Sequence, residues 1–490
     1  MLAALLAAFF VVRGCTPEPP QDSSVAPARP AFDAAKPLHV EVIATRASDG
    51  KAADVEWLEP ELRRLLSAAG LVIAAHGVVS EKSYLLRVAV APDARRASFA
   101  LVAPDQVLER EQAIEIDDPT RLTLVLTTAA ELARFLPLRA VADWQVVVGA
   151  ADARAYDVYT QALIDVLGPN ARGFTRPPHA PARVRSLERL ERLARTQPRF
   201  ARARALLAVS YLSLGGEDQA SLTQLAASAA ERALALDPTL ADAQAALGLA
   251  ALRRAEWVAA YERLSNALEL DANNAAALEG LACLLADAGL YEAAAPLAVR
   301  AAALLPRSIG ANECRAYVSG VEGGGEGAEA TAEIAALRLA LAGKPVEAQQ
   351  RLRTALRPGQ FELWAQPLAR ALTSGRHVPD ALRAITRAAS EDQIDASTEI
   401  VSGAALKQAD FVLNRLARLQ RQGEYAPLRI LWLPQADFLR QHSRFDDVIA
   451  ASGLTTFWQT HGPPDVCKSE PRTYGCTLKQ APQKTTKRNE

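Results

Sequence analysis

Apolar and polar residues alternate in short stretches before residue 120, and this spacing predicts β-strands. The predicted strands are HVEVIA (39–44), LVIAA (71–75), YLLRVAVA (84–91), ASFALVA (97–103) and EQAIEI (111–116).

Two helices are predicted in the same part of the chain. Apolar residues recur at helical spacing from Leu58 to Ala69 and stop at Gly70, which is a usual way for a helix to end. A second helix begins at Asp118-Pro119 and carries an apolar face. The order β-α-β-β-β-β-α predicts a small α+β domain over residues 39–150.

From residue 151 the apolar spacing is helical and repeats every 34 residues, as Pro238, Ala272 and Pro306 show. Small residues at fixed offsets within this period are typical of tetratricopeptide repeats. They let the two helices of a hairpin approach closely, Gly289 permits the turn, and proline ends the second helix. The residues predicted to hold the repeats together are Tyr211, Gly215, Ala226, Ala233, Pro238, Leu247, Gly248, Ala260, Ala267, Leu281, Gly289, Ala294, Ala301 and Pro306.

These patterns predict a mostly α fold, a tetratricopeptide-repeat helical solenoid preceded by the small α+β domain. The solenoid covers residues 151–357, and further helical repeats or a cap cover 358–466. A basic tail that contains cysteine covers 467–490. Half of the residues are apolar, which excludes a disordered chain.

Stacked helical hairpins form a concave groove that is lined by their first helices, and such a groove holds a peptide or a helix of a partner. We expect a protein partner there, because the predicted lining mixes charged and aliphatic residues; an unused, solvated face is the alternative. The predicted lining residues are Arg202, Val209, Leu212, Asp242, Leu249, Arg253, Glu279, Cys283, Asp287 and Tyr317.

The N-terminus carries an apolar run, Leu2–Val12, which is shorter than the ~20 residues of a membrane-spanning helix. Gly14 and Cys15 follow it and resemble the lipobox of bacterial lipoproteins, in which the cysteine is acylated. Residues 1–15 therefore predict a lipobox-like segment with Cys15 lipidated. The alternatives are a shortened membrane segment with Arg13 at its end, a plain signal peptide, or an apolar N-terminus without such a role. Residues 16–38 are rich in proline and predict an extended tether.

No catalytic signature, metal-ligand spacing or cofactor motif stands out in the sequence. The 55 basic and 56 acidic residues nearly balance, so no overall field draws the protein onto nucleic acid. The arginine-rich segment 172–204 is interleaved with Glu188, Glu191 and leucines, which favours a solvated helix face over a nucleic-acid patch. The sequence predicts a protein without catalytic residues, metal or cofactor, and without a nucleic-acid partner.

Cys467 and Cys476 lie in a loop rich in proline and glycine, where turns bring two sulfur atoms together. We expect a disulfide there if the compartment is oxidising; two exposed thiols are the alternative.

The stretches AYDVYTQAL (155–163) and ERALALDP (231–238) and the ending FLRQHSRFDDVIAASGLTTFWQTHGPPDVC (438–467) carry a resemblance to a known family. The chain resembles proteins in which a TolB-N-terminal-like domain precedes tetratricopeptide repeats. These form the periplasmic part of CadC-type winged-helix membrane regulators and are joined to some adenylate cyclases. Because the chain has no winged-helix or cyclase domain, the resemblance implies neither DNA binding nor cyclic-nucleotide synthesis.

We therefore expect a non-enzymatic scaffold or sensor for protein–protein interaction. Its predicted location is the periplasmic side of the cell envelope, anchored to the membrane through the N-terminus. One alternative is the sensory half of a transmembrane winged-helix regulator that lacks its DNA-binding domain. A repeat-containing transferase is another, although residues 358–440 show no clustered acid, base or nucleophile.

Overall fold

The computed structural model describes residues 36, 38–45, 55, 57–69, 71, 73, 83–104, 108–118, 120–136, 148–150, 152–167, 173–174, 181–214, 218–318 and 332–476. Cys15, the apolar run before it, Gly215 and residues 477–490 lie outside the described residues, as does the tether except for residues 36 and 38. Within the described residues the protein is mostly helical, with one small sheet near its N-terminal end. The predicted fold class is confirmed.

The sheet has four strands in the order β1-β2-β3-β4. Its strands are Leu38–Ala44 (β1), Tyr84–Val90 (β2), Arg96–Val102 (β3) and Leu108–Glu115 (β4). β1 runs parallel to β2, and the other two pairs are antiparallel. The predicted strand LVIAA is described only at residues 71 and 73, where Ile73 forms an isolated parallel bridge to Leu38.

Two helices complete the α+β domain: α1 spans Leu58–Ala68 and α2 spans Arg121–Phe135. α1 packs against β1 and α2. α2 begins two residues after Pro119 because Thr120 is its N-cap. The Oγ1 atom of Thr120 accepts a hydrogen bond from the backbone N–H of Thr123 at 3.1 Å. The domain core consists of fully buried apolar side chains, among them Val40, Leu58, Leu62, Leu86, Val88, Phe99, Val125 and Leu132.

The solenoid is built from paired helices. Its described helices are Ala153–Leu167 (α3), Pro181–Thr196 (α4), Ala201–Leu212 (α5), Gln219–Leu236 (α6), Ala241–Arg253 (α7), Trp257–Leu270 (α8), Ala275–Asp287 (α9), Tyr291–Leu304 (α10), Ile309–Val318 (α11), Ala332–Leu341 (α12) and Pro345–Ala355 (α13). Hairpins form between α5 and α6, α7 and α8, and α9 and α10, and consecutive hairpins pack on one another.

Small residues allow these helices to pack closely. A Cβ atom at Gly248 would lie 2.6 Å from Cγ of Leu264 in the other helix of its hairpin. Gly289 adopts φ +77° in the turn between α9 and α10, and Pro306 stands two positions after the end of α10. The alanines predicted at the helix contacts are buried: Ala226, Ala233, Ala260, Ala267, Ala294 and Ala301.

The C-terminal part is helical and returns to the solenoid. Its helices are the short helix Pro358–Gln360, a π-helical turn Phe361–Ala365, Gln366–Ser374 (α14), Val378–Ser390 (α15), Ala396–Ala405 (α16), Ala409–Gln422 (α17), the 3₁₀ turns Leu428–Trp432 and Pro434–Ala436, the short helix Asp437–Arg440, Phe445–Ser452 (α18), Leu454–His461 (α19) and the 3₁₀ turn Asp465–Lys468. The Nε1 atom of Trp458 donates to the carbonyl oxygen of Ala288 at 2.9 Å, and the amide of Asp465 donates to the carbonyl oxygen of Gly289 at 2.9 Å. The turn between α9 and α10 is thus covered by the end of the chain.

None of the helices in the described part of the chain is both long enough and apolar enough to span a bilayer.

Candidate functional site

The predicted groove residues lie on the inner helices α5, α7, α9 and α11, and most of them are buried, whereas Arg202, Asp242 and Arg253 are partly exposed. Val209, Leu212, Glu279 and Asp287 are 0% exposed, and Leu249 and Tyr317 are 2% exposed. Most of the predicted lining is thus closed to solvent in this structure, and its contact with a partner stays a prediction. Three other segments of the same chain cover these residues: α1, the dipeptide Gly173–Phe174, and residues 425–432.

The first covering segment, α1, is held by an ion pair between Glu61 and Arg202. The guanidinium donates to both carboxylate oxygens, at 2.6 and 2.8 Å, and the hydroxyl of Tyr156 donates to Glu61 at 2.9 Å. The side chain of Glu61 is 0% exposed and that of Arg202 is 10% exposed. Two parallel hydrogen bonds between a guanidinium and a carboxylate fix the orientation of both groups, so this pair sets how the α+β domain meets the solenoid.

Aromatic rings surround the Glu61–Arg202 pair. The guanidinium of Arg202 lies 5.6 Å from the ring centre of Tyr159, which packs at 5.2 Å from the ring of Phe200. Burial opposes the charge of Arg202, but the attraction of Glu61 outweighs it and raises the pKa of Arg202 above its ordinary value. Burial, together with the Glu61 carboxylate, raises the pKa of Tyr159 to about 12. Arg202 is therefore charged, and Tyr159 is neutral, at any physiological pH.

A second ion pair extends the contact of α1 to the next repeat. Arg64 lies 3.1 Å from Oδ2 of Asp242, whose other oxygen accepts a hydrogen bond from Asn274 at 2.7 Å. Asn274 also caps α9, because its Oδ1 accepts from the backbone N–H of Ala277 at 2.9 Å. Asp242, predicted to meet a partner, thus ties α1 to two successive repeats.

The second covering segment, Gly173–Phe174, is bound through its main chain. The amide of Phe174 donates to Oε1 of Glu279 at 2.8 Å, and its carbonyl oxygen accepts from Nη2 of Arg253 at 3.0 Å. The other carboxylate oxygen of Glu279 accepts from Ser308 at 2.7 Å. Phe174 itself is 0% exposed. Two predicted groove residues therefore do bind polypeptide, but it belongs to their own chain.

Arg253 is a buried cation with incomplete pairing. Nη2 also donates to the carbonyl oxygen of Leu212, at 2.5 Å, while Nη1 is buried and has no hydrogen-bond partner among the described residues. Burial lowers the pKa of Arg253 to about 10, and Glu279 only partly offsets this.

The third covering segment carries Arg429, which pairs with Asp287 at the end of α9. Nε of Arg429 donates to Oδ1 of Asp287 at 2.8 Å, and Nη2 donates to Oδ2 at 3.1 Å. Oδ1 also accepts from the backbone amide of Arg429 at 3.0 Å, and Tyr425 donates to Oδ2. Trp432 donates to the carbonyl oxygen of Asp287 at 2.7 Å. Both charged side chains are at most 3% exposed, so this network seals that end of the inner face.

The structure joins the cysteines of the described residues in two disulfides. Cys467 is bonded to Cys476, and Cys283 of α9 is bonded to Cys314 of α11. The second bond joins two inner helices of neighbouring repeats, and Nη1 of Arg429 lies 2.6 Å from the sulfur of Cys314. Cys283, predicted to line the groove, is fully buried.

The arginine-rich segment divides between exposed and structural side chains. Arg185, Arg189 and Arg192 of α4 are exposed. Arg204 donates to the main-chain carbonyl oxygens of Ala194 and Pro198, at 2.9 and 3.0 Å.

Sequence reasoning missed the residues that fill the inner face, above all Glu61, Phe174 and Arg429. Glu61 lies 141 positions from its partner, and Arg429 lies 142 positions from its own. No spacing in the sequence reveals such pairs. At the resulting site, buried charged side chains bind main-chain amides and carbonyls. No cluster of His, Cys, Asp or Glu that could hold a metal ion occurs in the described ranges.

No protein-family model matches the chain, and no curated protein matches it. Among solved structures the chain is similar to one from Pseudomonas aeruginosa, "Functional Characterization of Pseudomonas Aeruginosa pilF". The match has 22% identity and a TM-score of 0.25, and it covers 45% of this chain and 91% of that chain. Similarity of this degree carries no argument about function.

Proposed function

We propose that the protein is a non-enzymatic scaffold or sensor of the cell envelope whose solenoid binds polypeptide. One observation carries the proposal: the inner face binds main chain through buried charged side chains. Glu279 and Arg253 hold the amide and the carbonyl of Phe174, and Asp287 holds the amide of Arg429. Because main-chain groups are the same in every polypeptide, a surface that satisfies them in its own chain has the chemistry to satisfy them in a partner.

The cysteine pairing supports a location outside the reducing cytoplasm. Four of the five cysteines are joined in disulfides, and such bonds persist mainly in oxidising compartments. The fifth, Cys15, stands in the lipobox-like stretch that we propose as the anchor. Labelling of cells with a clickable fatty acid should mark the wild-type protein and not a Cys15→Ser variant; equal labelling of the two, or none in either, would show that Cys15 carries no lipid.

Binding of a partner can be tested on the outer helices, which remain exposed while the inner face is covered. Val299 of α10 and Val346 of α13 are 56% and 70% exposed. A photo-crosslinking residue at either position should capture the same protein in intact cells. Leu108, 49% exposed on the edge strand of the sheet, provides a matched control position that should not capture it. If the solenoid positions give no adduct, or only the adducts that position 108 also gives, the scaffold proposal fails.

A second candidate is the sensory half of a transmembrane winged-helix regulator. It is favoured by the order of the parts, since a four-stranded α+β domain packs on a repeat solenoid through one buried and one partly buried ion pair. An in-frame upstream extension of the coding sequence, encoding arginine-rich helices and a longer apolar run, would support this candidate. A stop codon immediately upstream would eliminate it.

A further inference from the structure

Three side chains of the inner face form a small binding site, which we call the main-chain clamp: Arg253, Glu279 and Ser308. Glu279 accepts the amide of the residue that it holds, and Arg253 donates to the carbonyl of that same residue. The hydroxyl of Ser308 donates to the second carboxylate oxygen of Glu279. It also accepts a hydrogen bond from the backbone N–H of Ala311 at 3.0 Å, which holds Ser308 at the start of α11. Both polar groups of one peptide residue are therefore recognised by side chains that are themselves held in place.

The clamp selects for glycine followed by an aromatic residue. Gly173 adopts φ +86°, a conformation that favours glycine. A Cβ atom there would lie 2.6 Å from Oε2 of Glu279 and closer still to Oγ of Ser308. The next side chain, Phe174, is completely buried. The geometry accepts Gly-Phe and excludes a larger residue at the first position.

The present occupant leaves the clamp incompletely satisfied. Nη1 of Arg253 is buried without a hydrogen-bond partner among the described residues. A buried charged donor that lacks an acceptor is costly. An occupant that brings one more carbonyl or carboxylate oxygen to Nη1 would bind better than Gly173–Phe174 does.

We propose that the main-chain clamp is a binding site for a partner polypeptide that carries a Gly-aromatic dipeptide, and that Gly173–Phe174 is the internal competitor which the partner replaces. This inference rests on the proposed polypeptide-binding function and names its ligand class. A competitor in the same chain acts at an effective concentration on the order of millimolar. The wild-type protein is therefore closed to weak ligands, and removal of the competitor should open the clamp.

A peptide copied from the chain itself tests the proposal. The probe is a fluorescein-labelled peptide NARGFTRP, the sequence of residues 170–177, and binding to the full chain is followed by fluorescence anisotropy. Gly173→Ala should expel the internal segment by the clash described above, and the affinity for the probe should rise at least about tenfold over the wild type. Phe174→Ala, which vacates only the aromatic position, should give a rise in the same direction. Adding Glu279→Ala, which removes the acceptor for the amide, to either variant should remove the gain, as should a probe with alanine in place of its phenylalanine.

The proposal is overturned if folded variants, verified by circular dichroism, bind the probe no better than the wild type. It is also overturned if the gain persists after Glu279→Ala. A measurement on the wild-type protein covers the case in which the variants do not fold. Millimolar probe should accelerate hydrogen exchange at the amide of Phe174, because that amide loses its acceptor when the segment leaves; unchanged exchange contradicts the proposal. Peptide binding without crosslinked partners in cells would refute only the scaffold function, and the reverse result would refute only the clamp.

Discussion

The ion pair between Glu61 and Arg202 joins the α+β domain to the solenoid. Glu61 is fully buried and accepts hydrogen bonds from Nη1 and Nη2 of the guanidinium and from the hydroxyl of Tyr156. Glu61→Ala leaves the guanidinium in the same place with no carboxylate to balance it. Breaking a buried pair in this way costs about 3–5 kcal/mol, and we expect a loss of that size in the stability of the contact between α1 and the solenoid.

An exposed pair of the same chemistry in the same domain provides the matched control. Glu41 and Arg87 lie 2.8 Å apart across β1 and β2, but their side chains are 40% and 46% exposed. Water screens such a pair, whose contribution is at most about 1 kcal/mol. Glu41→Ala removes a carboxylate of the same type and should have little effect, so a difference between the two variants reports burial rather than loss of a glutamate.

Hydrogen exchange measured by mass spectrometry is the suitable assay, because a chain with several structural parts need not unfold in two states. Protection of residues 58–68 should fall by about two to four orders of magnitude in Glu61→Ala, and by less than about tenfold in Glu41→Ala. The double variant Glu61→Ala/Arg202→Met carries no unpaired buried charge and should regain part of the protection. Equal losses in the two single variants, or no recovery in the double variant, would refute the electrostatic reasoning.

Three further predictions concern the turns, the disulfides and the acid limit of stability. Ala255 occupies the turn equivalent to that of Gly289 and has φ +56°. Ala255→Gly should therefore increase the free energy of unfolding by about 1 kcal/mol, and Gly289→Ala should decrease it by at least as much; both changes are measured as shifts in melting temperature. Cys283→Ala opens a disulfide that spans 31 positions and should cost about 3.5 kcal/mol in denaturant titrations; no change on substitution would argue that this bond does not form in the cell. Hydrogen bonds from Arg440 lower the pKa of Glu470 below its ordinary value of 4.5. The ionised Glu470 therefore stabilises the folded protein fully above pH 4.5, and this contribution is lost as the pH falls through the lower pKa of the folded state. Glu470→Gln should therefore lower the melting temperature at pH 7, and the difference from the wild type should shrink on acidification; a constant difference would contradict the pairing.

The repeat pattern predicted the hairpins well because it reports local requirements. A residue such as Gly248 is needed wherever two helices of a hairpin touch, and that need recurs at every repeat. The start of α2 was predicted two residues early because an X-Pro step suggests a helix start, whereas Thr120 supplies the actual cap. Errors of this kind stay small, since they concern neighbouring residues.

The disulfide between Cys283 and Cys314 shows a signal that was present but not used. Their separation of 31 is three less than the repeat length, so Cys314 stands one helical turn before the position equivalent to Cys283 in the next repeat. Neighbouring inner helices bring those positions together. The period that identifies the solenoid also indicates this pair, whereas closeness along the sequence indicates only Cys467 and Cys476.

The sequence by itself determined the helical repeat, the small mixed sheet and the residues that point to the inner face, because each follows from periodicity within a few dozen residues. Only the tertiary structure decided that this face is occupied. Glu61, Phe174 and Arg429 reach it from positions far along the chain, and their ion pairs and main-chain hydrogen bonds depend on distances that no local pattern encodes. Helical periodicity determines the face of the helix on which a side chain lies. Whether water, a partner or another segment of the same chain contacts that side chain depends on how distant segments pack.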